Sequence, residues 1–76
     1  MYYMIKSAQT KEYADFVLRL RKARLDAGLT QVQVAKKLKR PQSHVSNIES
    51  GQQRVDVVEL RRFAKLYGKE VGYFIK

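Results

Sequence analysis

The sequence predicts an all-α domain of four to five short helices. Three observations support this prediction: apolar residues recur every three or four positions, glycines or a proline interrupt these segments, and helix-capping patterns precede two of them. The chain has 76 residues and no cysteine, so it has room for one small domain and cannot form a disulfide or a thiolate metal site. We expect residues 11–76 to form this domain and residues 1–10 to be an N-terminal arm.

The first two helices are predicted from an apolar face and from capping residues. Apolar residues between Tyr13 and Ala27 have the spacing of one helical face. Gly28 follows this face and can adopt the left-handed conformation that ends a helix. Thr30 and Gln33 then form a capping box, in which each side chain bonds the other residue's backbone N–H. A second helix is therefore predicted at residues 31–38.

A third helix is predicted shortly after the second. Pro41 disfavours helical geometry in the residue before it and suits a first helical turn, so the helix is expected to begin at Pro41 or Gln42. It is expected to end at Ser50, before Gly51. Two short helices joined by such a brief turn form a helix-turn-helix unit, here at about residues 31–50.

The C-terminal part of the chain predicts one further helix and one ambiguous segment. Asp56 and Glu59 have the spacing of a second capping box, and an apolar helical face follows them as far as Gly68. Residues 70–76 are too few to decide between a strand and a helical turn.

The balance of charge points to an anionic partner. The chain carries 16 basic and 7 acidic residues, a formal net charge of +9. Such an excess favours a polyanion, which is either nucleic acid or an acidic membrane face. The longest apolar run, residues 1–5, is too short to span a bilayer, so we expect no membrane partner. Because we also expect no leader and the chain has no cysteine, a cytoplasmic, nucleoid-associated protein is predicted.

The third predicted helix has two different faces. Val45 and Ile48 are its strongly apolar residues, so they define the side that packs inward. Gln42, at its start, carries an amide that can bond adenine N6 and N7 together, and the amide of Asn47 can do the same. Free N–H groups at the starts of helices 2 and 3 can bind phosphate, with Gln31, Lys39 and Arg40 nearby. The outward side is uncharged, short and rich in donors and acceptors: Ser43, Ser46, Asn47 and Ser50.

The helix-turn-helix segment closely resembles the phage-repressor-like (Cro/C1, XRE) helix-turn-helix family. With helices 1 and 4 the resemblance covers about residues 11–68, and it implies a compact lambda-repressor-like domain that binds double-stranded DNA. The residues that carry it are Leu29, Thr30, Gln31, Val34, Ala35, Leu38, Pro41, Gln42, Ser43, Val45, Ser46, Ile48, Glu49 and Gly51. The implied base contacts are Gln42, Ser43, Ser46 and Asn47, with His44 at the rim. The expected phosphate contacts are Gln31, Lys39, Arg40, Ser50 and Arg54.

The resemblance also implies a structural ion pair between Arg24 and Glu49, and the chain departs from the family in two places. Lys39 stands in the turn where the family usually has glycine, and a non-glycine residue with positive φ costs on the order of 1 kcal/mol. The N-terminal arm is additional. Three roles are open for it: packing on the core, covering a partner subunit, or reaching DNA through Lys6 and Lys11.

The leading hypothesis is a sequence-specific DNA-binding regulator, by default a repressor, that binds a palindromic operator as a homodimer. One alternative is an antitoxin that neutralises a toxin partner and regulates its own operon. Another is a sequence-blind nucleoid or RNA-binding protein, which needs only the positive charge. An enzyme is not expected: a lone His44 cannot form a zinc site, Ser43 and His44 point about 100° apart, and the glycines do not have the spacing of a phosphate loop. We therefore expect no catalytic residue, metal or cofactor.

Overall fold

Five α-helices follow one another in the computed structural model, which describes residues 10–75. They are α1 (Lys11–Asp26), α2 (Gln31–Leu38), α3 (Gln42–Glu49), α4 (Val57–Tyr67) and α5 (Val71–Phe74). No strand occurs among these residues, so the all-α prediction is confirmed, and the ambiguous C-terminal segment is a helical turn. Residues 1–9 of the expected arm, Lys6 among them, lie outside the described residues.

Polar side chains determine where three of the helices begin. The Thr10 hydroxyl accepts a hydrogen bond from the backbone N–H of Tyr13 at 3.1 Å, so α1 begins at Lys11, two residues before the first residue of its apolar pattern. At the start of α2 both bonds of the predicted capping box are present, with Thr30 Oγ1 accepting from Gln33 N at 3.1 Å and Gln33 Oε1 accepting from Thr30 N at 2.8 Å. Asp56 caps α4 in the same way.

Left-handed residues follow each of the first four helices. Gly28 has φ 73°, and the backbone N–H of Leu29 donates to the Arg24 carbonyl at 3.2 Å to close α1. Lys39 does the same for α2 with φ 58°, and within residues 10–75 it is the one non-glycine residue with positive φ. The turn therefore contains a left-handed residue although a lysine, and not a glycine, stands there. This residue turns the chain sharply between α2 and α3.

The core forms where α1 meets the other helices. Its largest fully buried side chains come from every helix, and α1 packs against α3, α4 and α5. Apolar burial of this kind stabilises by about 25 cal/mol per Å² and is the main force that holds α3 in place. None of the described helices is long and apolar enough to cross a membrane. These largest buried side chains are Leu20, Val34, Val45, Ile48, Phe63 and Phe74.

Candidate nucleic-acid interface

The α2 and α3 helices form a helix-turn-helix. Residues 39–41 connect them: Lys39 is left-handed, and Pro41 is extended with φ −64° and ψ 153°. Because of this turn α3 begins at Gln42 and packs against α2. A single helix fits into the major groove of DNA, which is about 12 Å wide. The outward side of α3 is therefore the candidate reading surface.

The side of α3 that faces the core is well defined. Val45 and Ile48 are completely buried, and Glu49 is 8% exposed. At about 100° per residue these three define one direction, and Ser43 and Asn47 lie on the opposite side, while Gln42 is exposed at the start of the helix. The Ser50 hydroxyl at the C-terminal end donates to the Asn47 carbonyl at 3.0 Å. Of the reading residues, Gln42 and Ser43 are exposed, and Ser46 and Asn47 are half-buried.

His44 lies between these two sides and faces α4. Its Nε2 is 2.9 Å from Glu59 Oε1, and its Nδ1 is 3.0 Å from Gln53 Nε2. If the Gln53 amide donates to Nδ1, the proton on Nε2 is donated to Glu59. Only 14% of the His44 side chain is exposed. This geometry gives His44 a structural contact within the protein and does not favour the predicted contact with DNA at the rim.

The cations predicted to bind phosphate flank both ends of α3. Lys39 and Arg40 are exposed just before it. Arg54 follows it, with its guanidinium 4.5 Å from the centre of the Tyr13 ring. The Tyr13 hydroxyl donates to the Gln53 carbonyl at 3.3 Å. Burial raises the pKa of Tyr13, while the nearby Arg54 charge acts to lower it. Arg54, in the loop after α3, is thus held against Tyr13 of α1.

Gln31, the predicted phosphate ligand on α2, contacts a buried ion pair. Its Nε2 donates to Glu49 Oε1 at 3.0 Å. Glu49 also accepts from Arg24, at 2.7 Å from Nε and 3.2 Å from Nη2, and Arg24 Nη1 donates to the Leu29 carbonyl at 2.8 Å. The ion pair that the resemblance implied is therefore present. It joins α1, α2 and α3 at the base of the reading surface.

Glu59 has a role that the sequence pattern did not indicate. Its backbone N–H donates to Asp56 Oδ1 at 2.8 Å, as a capping box requires. Its carboxylate, however, contacts His44 and does not accept from the Asp56 backbone N–H. The prediction of a second capping box is therefore wrong for this one of its two hydrogen bonds. The spacing of Asp56 and Glu59 is a local signal, whereas His44 lies 15 residues away. No local pattern could have revealed this contact.

The fold and this surface define the class of protein: a small helix-turn-helix domain. The chain belongs to the helix-turn-helix domain family, because the family model matches residues 15–70, which include all of α2, α3 and α4. This membership supports a DNA-binding regulator. No curated protein matches the chain. Within residues 10–75 there is no group of three or more His, Asp or Glu side chains that could hold a metal ion.

Proposed function

We propose that the chain is a sequence-specific DNA-binding transcriptional regulator of the phage-repressor-like (Cro/C1, XRE) type. The observation that carries this proposal is the composition of the outward side of α3. A helix face exposed only to water would tend toward lysine and glutamate, whereas this one presents amides and hydroxyls. These groups can form paired hydrogen bonds with base edges in the major groove.

Each part of the surface has a separate role in this proposal. Gln42 and Ser43, exposed at the start of α3, and Asn47, one turn later, read base edges. Arg40 and Arg54 bind phosphate on either side of the groove and position α3 without contributing sequence information. Lys39, Ser50 and the N-terminal end of α2 at Gln31 add further phosphate contacts. The net charge of +9 favours association with any duplex, so discrimination depends on α3.

A second copy of the chain is the proposed partner in DNA binding. An apolar groove between α1, α4 and α5 is available for it, and Val57 and Ile75 at its edge are 66% and 63% exposed. Glu12 and Arg19 lie on the rim of the same groove. In a two-fold contact the same surface meets itself, so acidic and basic rim residues of the two copies can pair. A dimer of this kind would read half-sites about 34 Å apart. When bound over a promoter, it would repress transcription by blocking access to that promoter.

Selection from a randomised duplex pool tests this function. Binding at about 150 mM salt suppresses the affinity that arises from counterion release alone, and sequencing of the bound fraction reveals any preferred site. We expect an inverted repeat. The matched control is the double variant Q42A/N47A, which retains every charge and should enrich a weaker or altered motif. A flat pool with measurable binding would overturn the proposal in favour of a sequence-blind protein. Enrichment only in the presence of a second protein would instead favour the antitoxin alternative.

A further inference from the structure

We propose that Glu59 is a positioning residue for the DNA interface, which fixes the start of α3 through His44 and restrains Arg40 in the absence of DNA. This inference rests on the proposed function, since it concerns how the same surface binds DNA. Glu59 lies in the first turn of α4, and its side chain is 11% exposed. Its two carboxylate oxygens face two different parts of the helix-turn-helix.

The first oxygen fixes α3. Glu59 Oε1 is 2.9 Å from Nε2 of His44, which lies in the first turn of α3 beside Gln42 and Ser43. Gln53, in the loop after α3, contacts the other ring nitrogen at 3.0 Å. The imidazole is thus held from both sides, and the angle at which α3 enters a groove depends on these two bonds. A small change in that angle displaces every base-reading side chain.

The second oxygen restrains Arg40. Glu59 Oε2 is buried and has no hydrogen-bond partner, and the nearest cation is Arg40, whose Nε is 3.9 Å away. Arg40 is 48% exposed and 3.9 Å exceeds hydrogen-bond distance, so this pair is a partly exposed ion pair and not a fixed hydrogen bond. A DNA phosphate offers Arg40 a better partner, with two oxygens in reach of its planar fork. Glu59 and phosphate therefore compete for the same guanidinium.

The variant Glu59→Gln separates the two roles. Its amide oxygen can still accept the proton from His44, whereas its charge is gone and Arg40 is released. We expect about two- to fivefold tighter binding to all duplexes, the range for an ion pair with an exposed partner. Glu70→Gln is the matched control because it makes the same change in charge at an exposed position before α5. In an Arg40→Gln background, the gain from Glu59→Gln should fall to that of this control. An equal gain with and without Arg40 would overturn the competition.

The variant Glu59→Ala tests the other role. It leaves His44 without its partner on α4, so the ratio of affinities for the selected site and a scrambled duplex should fall at least fivefold, while Glu59→Gln preserves this ratio. Unchanged discrimination in a folded Glu59→Ala protein would overturn the positioning of α3. If the alanine variant does not fold, the comparison of Glu59→Gln with and without Arg40 decides the proposal. If the wild-type protein binds the selected site and a scrambled duplex equally well, the proposed function is refuted. The competition between Glu59 and phosphate for Arg40 can still be measured in that case, on a random duplex.

Discussion

Arg24 and Glu49 lie buried against each other where α1 meets α3, with Arg24 Nε 2.7 Å from Glu49 Oε2 and side chains only 9% and 4% exposed. Every polar contact around them joins different elements, since Arg24 also bonds the Leu29 carbonyl and Glu49 accepts from Gln31 of α2. The ion pair therefore fixes the position of α3 relative to two other helices. Its contribution to the DNA interface is indirect, because both side chains are buried.

Removing one partner of this pair should destabilise the domain strongly. Glu49→Leu leaves the Arg24 guanidinium buried without its counter-charge, and we expect a loss of about 3–5 kcal/mol in the free energy of unfolding. The double variant Arg24→Met/Glu49→Leu should recover much of this loss because no buried charge remains. Urea unfolding followed by circular dichroism measures both values. Additive losses in the double variant would show that the two side chains stabilise the protein independently.

Lys39 is expected to be less favourable than glycine at its position. Its left-handed backbone costs a lysine on the order of 1 kcal/mol, which glycine would not incur. Part of the stability gained by this replacement is offset by the greater freedom of glycine in the unfolded chain. Lys39→Gly should therefore raise the free energy of unfolding by about 0.5 kcal/mol. The control is Lys37→Gly, which makes the same change inside α2 and should lower it by about 1 kcal/mol. A loss at both positions would show that the Lys39 side chain stabilises the turn.

Local patterns in the sequence predicted the helices well, because capping and helix termination depend on residues close together in the chain. The Thr30–Gln33 capping box and the left-handed Gly28 that ends α1 are examples. Contacts between distant residues were predicted only where the family resemblance supplied them, as for Arg24 and Glu49. His44 illustrates the limit: its type and position on α3 suggested a DNA contact, while the fold gives it Gln53 and Glu59 as neighbours. Such a partnership depends on how α4 packs on α3.

The Tyr67 hydroxyl makes stability depend on pH in alkaline solution. Burial raises the pKa of Tyr67 well above its ordinary value of about 10, the negative Glu49 raises it further, and Arg24 opposes them. Below about pH 10 the Tyr67 hydroxyl keeps its proton in both the folded and the unfolded state, so the stabilisation linked to its raised pKa is fully present. At higher pH the unfolded chain loses its proton first, and this contribution is lost as the pH rises toward the folded pKa. Urea unfolding at about pH 9 and pH 11 should show this fall.

Tyr67→Phe is the variant that isolates this effect. The buried hydroxyl has no hydrogen-bond partner, so its removal should raise the free energy of unfolding by about 1 kcal/mol at neutral pH. The variant should also lose much less of its free energy of unfolding between about pH 9 and pH 11 than the wild type does. Tyr13→Phe is the comparison, because the pKa of Tyr13 is also raised but its hydroxyl has a partner in Gln53. An unchanged alkaline loss in Tyr67→Phe would assign the effect to another group.

The proposed dimer depends on the apolar groove between α1, α4 and α5. Ile75→Asp places a charge at its exposed edge and should shift the protein from dimer to monomer in sedimentation equilibrium, since burying an unpaired carboxylate is costly. Leu25→Asp is the control: Leu25 is 59% exposed on α1 and does not line the groove. An intact dimer in Ile75→Asp would place the interface elsewhere. A wild-type monomer at all concentrations would refute self-association and leave the groove for another protein.

Base reading and phosphate binding should respond differently to mutation. Gln42→Ala removes an amide at the start of α3, and we expect a loss of about 1–3 kcal/mol that is confined to one or two base positions. Arg54→Ala should weaken binding to every sequence alike and lower the salt dependence by about one counterion. Arg21→Ala, on the exposed surface of α1, controls for the loss of a positive charge. Because Arg54 packs on the Tyr13 ring, circular dichroism must first show that this variant is folded. Affinities for the selected site and its single-base variants decide the outcome, and equal losses at all positions for Gln42→Ala would assign it to phosphate binding instead of base reading.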